Sequence, residues 1–212
     1  MGDDVYRGRL DALKDTWQVW SQLGRDLTEQ QWSTPTRCPG WDVACVYGHV
    51  SMFPVAMSAP PPVLDELVGK PLTAVEVLRR FNAPGGVAST MAKTNADTAV
   101  REAAQHTRAH LVDRFTVHGS RALDGLRKIA PTMVVPWPLS GGVMTLVEAL
   151  RIVLLEATVH LLDVQRALDR PPDVPMQALQ DTTHLLADLA PAVELIEAAT
   201  GRSTRSPLPV LH

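Results

Sequence analysis

Cysteine is scarce in this chain, with Cys38 and Cys45 the only two in 212 residues. Two thiols cannot build a disulfide framework, and their six-residue separation, with no second cysteine pair, does not suit a zinc site made of thiolates. Both are expected to be free thiols of structural or incidental use. Long apolar runs are also missing: nothing approaches the roughly 18 uninterrupted apolar residues of a membrane-spanning helix. The opening Met-Gly-Asp-Asp lacks the basic-then-apolar order of an export signal, so a cytoplasmic protein is expected. Charge of one sign is lacking too. The 20 Lys and Arg nearly balance 23 Asp and Glu, for a formal net charge of -3, which excludes a field able to gather nucleic acid or a membrane surface as partner. No internal repeat, low-complexity tract or alternating strand pattern is present, so solenoids and sheet-built folds are excluded as well.

What the chain does have is helical periodicity over a 45% hydrophobic composition, enough to bury a core within one domain spanning 1–212. Val5, Leu10, Leu13, Trp17, Trp20 and Leu23 recur every three or four positions, which predicts an amphipathic first helix. A short helical segment capped by Thr28 ends before Pro35, Pro39 and Gly40 force a structured loop. Asp42 then caps a second helix over 43–57, and Pro60, Pro61 and Pro62 form a connector. The pattern predicts a short helix over 74–80, a turn at Gly85-Gly86 and a long helix over 88–126 with Gly119 as its interruption. Breakers between Pro131 and Gly142 predict an extended or hairpin-like segment. Helices follow over 145–168 and 175–200, the last ended by Gly201, and the tail 202–212 is expected to be loosely held. The fold class is therefore all-α, a helical bundle with short extra helices.

The chemistry-bearing residues sit where helices are apolar. At 100° per residue, Glu156, His160 and Asp163 share one side of the 145–168 helix with Ala149, Ile152, Val153 and Val159. An unpaired carboxylate there would cost several kcal/mol, so it must be protonated, paired or metal-bound. Glu156 and His160, four apart, point to one spot, and His49 shares the core-facing side of its helix with Cys45, Val46, Met52 and Phe53. Two readings stand on pattern alone. Either the three groups hold one divalent ion, or the histidines satisfy each other or nearby carbonyls while Glu156 pairs with an arginine.

Asp163 either orients a ligand through a hydrogen bond or pairs with Arg166. His106 and His110 have metal-ligand spacing, but Glu102 and Asp113 share their face, so a solvated surface accounts for them. His118 continues an apolar line and is assigned to the core.

The run Leu27-Thr28-x-x-x-Trp32-x-x-Pro35-Thr36-x-Cys38-Pro39-Gly40-Trp41-Asp42-Val43, followed by His49, resembles the N-terminal signature of the mycothiol-dependent maleylpyruvate isomerase family. Gly142-x-Met144-Thr145-x-x-Glu148, followed by Glu156-x-x-x-His160-x-x-Asp163, resembles its second signature. The resemblance implies a DinB-like four-helix bundle whose metal ligands fall on His49, Glu156 and His160. It also implies zinc or another divalent ion as cofactor, and mycothiol, the low-molecular-weight thiol of actinobacteria, as co-substrate. Family isomerases carry a second, C-terminal domain, whereas this chain ends soon after its last helix, so the expectation is thiol S-transfer to a small-molecule electrophile.

Three protein ligands would leave a coordination position open for the thiol, with Asp163 as support. Arg80 and Asn82, with Arg79, are assigned to polar groups of the thiol, and Trp137 to the pocket wall. The rival expectations are a metal-dependent hydrolase or isomerase of a small molecule, and a non-catalytic bundle holding a small ligand. The helix at 145–168, apolar nearly all round, leaves room for a homodimer contact.

Overall fold

The computed structural model describes residues 2–62, 69–137 and 142–211. Its elements are α1 (Gly2–Arg25), α2 (Glu29–Trp32), α3 (Val43–Val50), α4 (Met52–Met57), α5 (Ala74–Phe81) and α6 (Val87–Gln105). After α7 (Arg108–Asp113), a five-residue π-helical stretch (Arg114–His118) leads into α8 (Gly119–Leu126). A hairpin of β1 (Val134–Trp137) and β2 (Gly142–Thr145) then precedes α9 (Leu146–Ala167), α10 (Met176–Leu189) and α11 (Ala192–Ala199). The strands pair antiparallel, with Val134 opposite Thr145 and Trp137 opposite Gly142. The hairpin confirms the predicted extended segment, whose residues 138–141 lie outside the described part. The protein is an all-α bundle carrying this one small sheet. Among the described residues, no helix is long and apolar enough to cross a membrane.

The apolar stripe of α1 builds the main core. Leu10, Leu13, Trp17 and Trp20 are all buried, spaced so that successive turns of the helix deliver them to one face. Trp20 stacks on Phe115 with centroids 5.4 Å apart and meets Tyr47 edge-on at 4.8 Å. Its indole N–H donates to the Ala157 carbonyl at 3.0 Å, which pins α1 to α9. Arg9 adds a polar clamp: its guanidinium donates to Asp181 of α10 at 2.9 Å and to the Val147 carbonyl at 2.8 Å. The α9 helix is central because it serves two cores. Leu150, Val153, Leu154 and Leu161 face the main one, while Ile152 and Leu155 join Val77, Leu78, Met144 and Leu185 in a second cluster with α5 and α10.

Three helices expected to be continuous are broken, each for a local reason. The 43–57 helix divides at Ser51, because Pro54 has no N–H to give the Val50 carbonyl. The 88–126 helix opens at His106, which is extended (φ -123°, ψ 144°), and Thr107 recaps it by accepting from the His110 amide at 3.2 Å. Gly119, expected to interrupt this helix, instead lies within it, where a Cβ would come 2.9 Å from the Trp17 ring. The 175–200 helix ends at Ala190 (ψ 151°), since the ring of Pro191 disfavours helical backbone in the residue before it. Beyond α11 the tail turns back, and Val210 and Leu211 pack against the second cluster.

Candidate metal centre

Cys38, Pro39, Gly40 and Trp41 form a tight turn closed by the Trp41 amide donating to the Cys38 carbonyl at 3.0 Å. Proline in its second position and glycine at φ 78° in its third are the chemistry of a type II turn. The turn sets Cys38 and Trp41 over α9. Asp42 follows as the cap of α3, its carboxylate accepting from the Cys45 amide at 2.9 Å, and this starts the helix in the register that carries His49 inward.

On α9, Glu156 and His160 are one turn apart. His49 Nε2 lies 3.3 Å from Glu156 Oε2, and His160 Nε2 lies 3.5 Å from the same oxygen. All three donor atoms fall within 4.8 Å of one another. Ligands about 2.0 to 2.1 Å from a tetrahedral zinc ion stand about 3.3 Å apart, so the donor set and its spacing fit a divalent cation. The imidazoles meet edge to face at 5.1 Å, and the Trp41 ring covers both, 5.1 Å from His49 and 6.0 Å from His160.

The far side of His160 is equally ordered. Its Nδ1 donates to Asp163 Oδ2 at 2.9 Å, which fixes a proton on Nδ1 and turns Nε2 toward Glu156. Cys38 Sγ donates to the same carboxylate oxygen at 3.3 Å, and the Arg37 guanidinium pairs with the other. Burial works against the imidazolium, yet the bonds from Asp163, Cys38 and Glu156 outweigh it and raise the His160 pKa well above the ordinary value. Burial likewise pushes the Glu156 carboxyl up, but bonds and charge from His160 and His49 hold it far below the usual range, so it is ionised. Asp163 is lowered against its own burial by His160 and Arg37.

A cavity of about 90 Å³ opens beside this cluster, lined by His49 and Glu156 together with Phe53, Leu78, Phe81, Trp137 and Asn95 among others. Larger grooves, including one of about 630 Å³ near Asp15 and Arg170, lie elsewhere and border none of these groups.

Of the residues singled out in the sequence, His49, Glu156, His160 and Asp163 come together, and Trp137 lines the cavity. Arg80 is exposed at the end of α5, and Asn82 caps that helix by donating to the Leu78 carbonyl at 2.9 Å; neither lines the cavity. His106 and His110 stack at 4.7 Å, with His106 3.4 Å from Glu102, away from the cluster. His118 faces Ser58 at 3.2 Å. Sequence reasoning assigns no role to Arg37 and treats Cys38 as structural or incidental. Both act on Asp163 from the loop, and the only hint was their place beside the Pro-Gly-Trp turn. Asn95, on α6, carried no signal.

A family model described as the mycothiol maleylpyruvate isomerase N-terminal domain matches residues 13–165. That span holds every residue of the cluster. No curated protein and no solved structure matches.

Proposed function

This chain belongs to the mycothiol maleylpyruvate isomerase N-terminal domain family, and we propose that it is a metal-dependent enzyme transferring a low-molecular-weight thiol, mycothiol, to a small electrophile in the cytoplasm. His49, Glu156 and His160 hold the divalent ion, zinc by the chemistry of two imidazoles and one carboxylate. The observation that carries this is the approach of two imidazole Nε2 atoms, at 3.3 and 3.5 Å, to one ionised carboxylate oxygen beside an apolar cavity.

When bound, the ion supplies the Lewis acidity that keeps a thiol sulfur as thiolate at neutral pH. Asp163 holds the proton on His160 Nδ1 and so keeps the ring's orientation and tautomer. Trp41 and Phe53 flank the imidazoles. The cavity takes the electrophile, and its Trp137 wall, with Arg80 and Asn82 near the same helix end, is assigned to the thiol's body.

The test is elemental analysis of wild-type protein beside His160→Ala, followed by thiol consumption with mycothiol and a panel of small electrophiles. Near-stoichiometric metal in the wild type, its loss in the variant, and turnover requiring both thiol and metal are expected. Equal metal content in the two proteins, or turnover of the electrophile with metal and no thiol, would overturn the proposal.

A further inference from the structure

Resting on that reading, the cavity carries a second piece of information, namely what it can accept. Its walls are Phe53, Val77, Leu78, Phe81, Trp137 and Ile152, all apolar in the surface they offer apart from one indole. His49 and Glu156 occupy one side, and Asn95 of α6 supplies the remaining polar group. Among the described residues the Asn95 amide has no hydrogen-bond partner. Among the described residues, no lysine or arginine lines the space.

Size and charge then limit the occupant. A cavity of about 90 Å³ is smaller than the roughly 150 Å³ that admits benzene, so it encloses about four non-hydrogen atoms, and the rest of a small ligand extends from its open mouth. In metal-free protein a carboxylate placed against the apolar walls would have no lysine or arginine to offset its desolvation, and the ionised Glu156 would repel it. A neutral oxygen acceptor would instead receive the Asn95 N–H.

We propose that Asn95 is a specificity-determining residue and that the cavity binds small, neutral, conjugated carbonyl compounds, their oxygen at Asn95 and their electrophilic carbon toward Glu156 and His49. The thiol addition is balanced: sulfur bonds to the β-carbon, the alkene π pair shifts toward the carbonyl oxygen held by Asn95, and the thiol's proton ends on the α-carbon, giving a thioether.

Binding of three probes tests this by saturation-transfer NMR: crotonamide, the anion crotonate, and cyclopentene, which has no polar atom. Chelator-treated wild-type protein is expected to bind crotonamide at least about tenfold more tightly than crotonate. Asn95→Leu is expected to weaken crotonamide about five- to tenfold, the worth of one hydrogen bond, and to leave cyclopentene unchanged or tighter. Asn95→Ala, smaller and equally compatible with α6, must give the same loss for crotonamide. Equal loss of crotonamide and cyclopentene, no loss of either, or crotonate binding chelator-treated protein as well as crotonamide does, would overturn the assignment. The titrations are read in zinc-loaded and in chelator-treated protein, and the Asn95 contrast is expected in both. A missing metal centre would appear as identical zinc content in wild type and His160→Ala, a separate result.

Discussion

Replacing Asp163 by Asn removes one charge and little volume, yet it disrupts a counted arrangement. Three donors, the His160 Nδ1–H, the Cys38 thiol and the Arg37 guanidinium, converge on two carboxylate oxygens. Asn offers one oxygen and two N–H groups, so at least one donor faces another donor. The Asp163 side chain is only 6% exposed while that of Arg37 is 59% exposed, so Arg37 can turn to solvent at small cost. The loss therefore falls on the half-buried His160. Removing the carboxylate partner of a metal-bound histidine weakens metal affinity about 10- to 100-fold, or about 1.4 to 2.8 kcal/mol. The assay is competition for zinc against a chromophoric chelator at pH 7, with circular dichroism checking that the variant is folded. A folded Asp163→Asn protein binding zinc as tightly as wild type would refute the claim that this carboxylate orients His160.

Trp20→Ala should cost about 3–5 kcal/mol, since it empties a fully buried site between Tyr47 and Phe115 and removes the indole bond to the Ala157 carbonyl; a fall in melting temperature on the order of 10 °C by calorimetry is expected. Burial, with Asp42 next to it, pushes the Cys45 thiol up to about 11. In a Cys38→Ser background, Cys45 should therefore resist iodoacetamide at pH 8, with a rate rising about tenfold per pH unit. In metal-free protein the lowered carboxyls of Glu156 and Asp163 contribute stability that is present above their ordinary values of 4.5 and 3.8 and lost as pH falls through the depressed folded values. The raised His160 contributes stability that is complete below its ordinary 6.5 and lost as pH rises through the folded value. Thermal melts should thus show the metal-free protein most stable between pH 4.5 and 6.5, and a maximum above pH 8 would contradict the signs.

The sequence made the bundle and much of the candidate site legible because both rest on helical periodicity. Glu156 and His160 are four apart on one helix, and His49 shares a face with Val46 and Phe53, so pattern alone aims them inward. The break at His106–Thr107 was hidden, because a hydroxyl capping an amide competes with a helix whose residue pattern runs on unbroken. Cys38 and Arg37 were invisible for a different reason. They reach Asp163 across more than a hundred residues of chain, as in the Arg37–Asp163 pair at a separation of 126, through a turn whose direction depends on Gly40. Asn95 lies on a helix of polar and small residues, and only the packing of α5, α6 and α9 turns it into part of a wall.

Among the described residues, two donor sets share His160: one with His49 and Glu156, the other with Cys38 and Asp163. X-ray absorption at the zinc edge of the loaded protein separates them directly. Two imidazole nitrogens and a carboxylate oxygen at about 2.0 to 2.1 Å, with no sulfur, are expected. A sulfur scatterer at about 2.3 Å would place the ion on Cys38 and contradict that expectation.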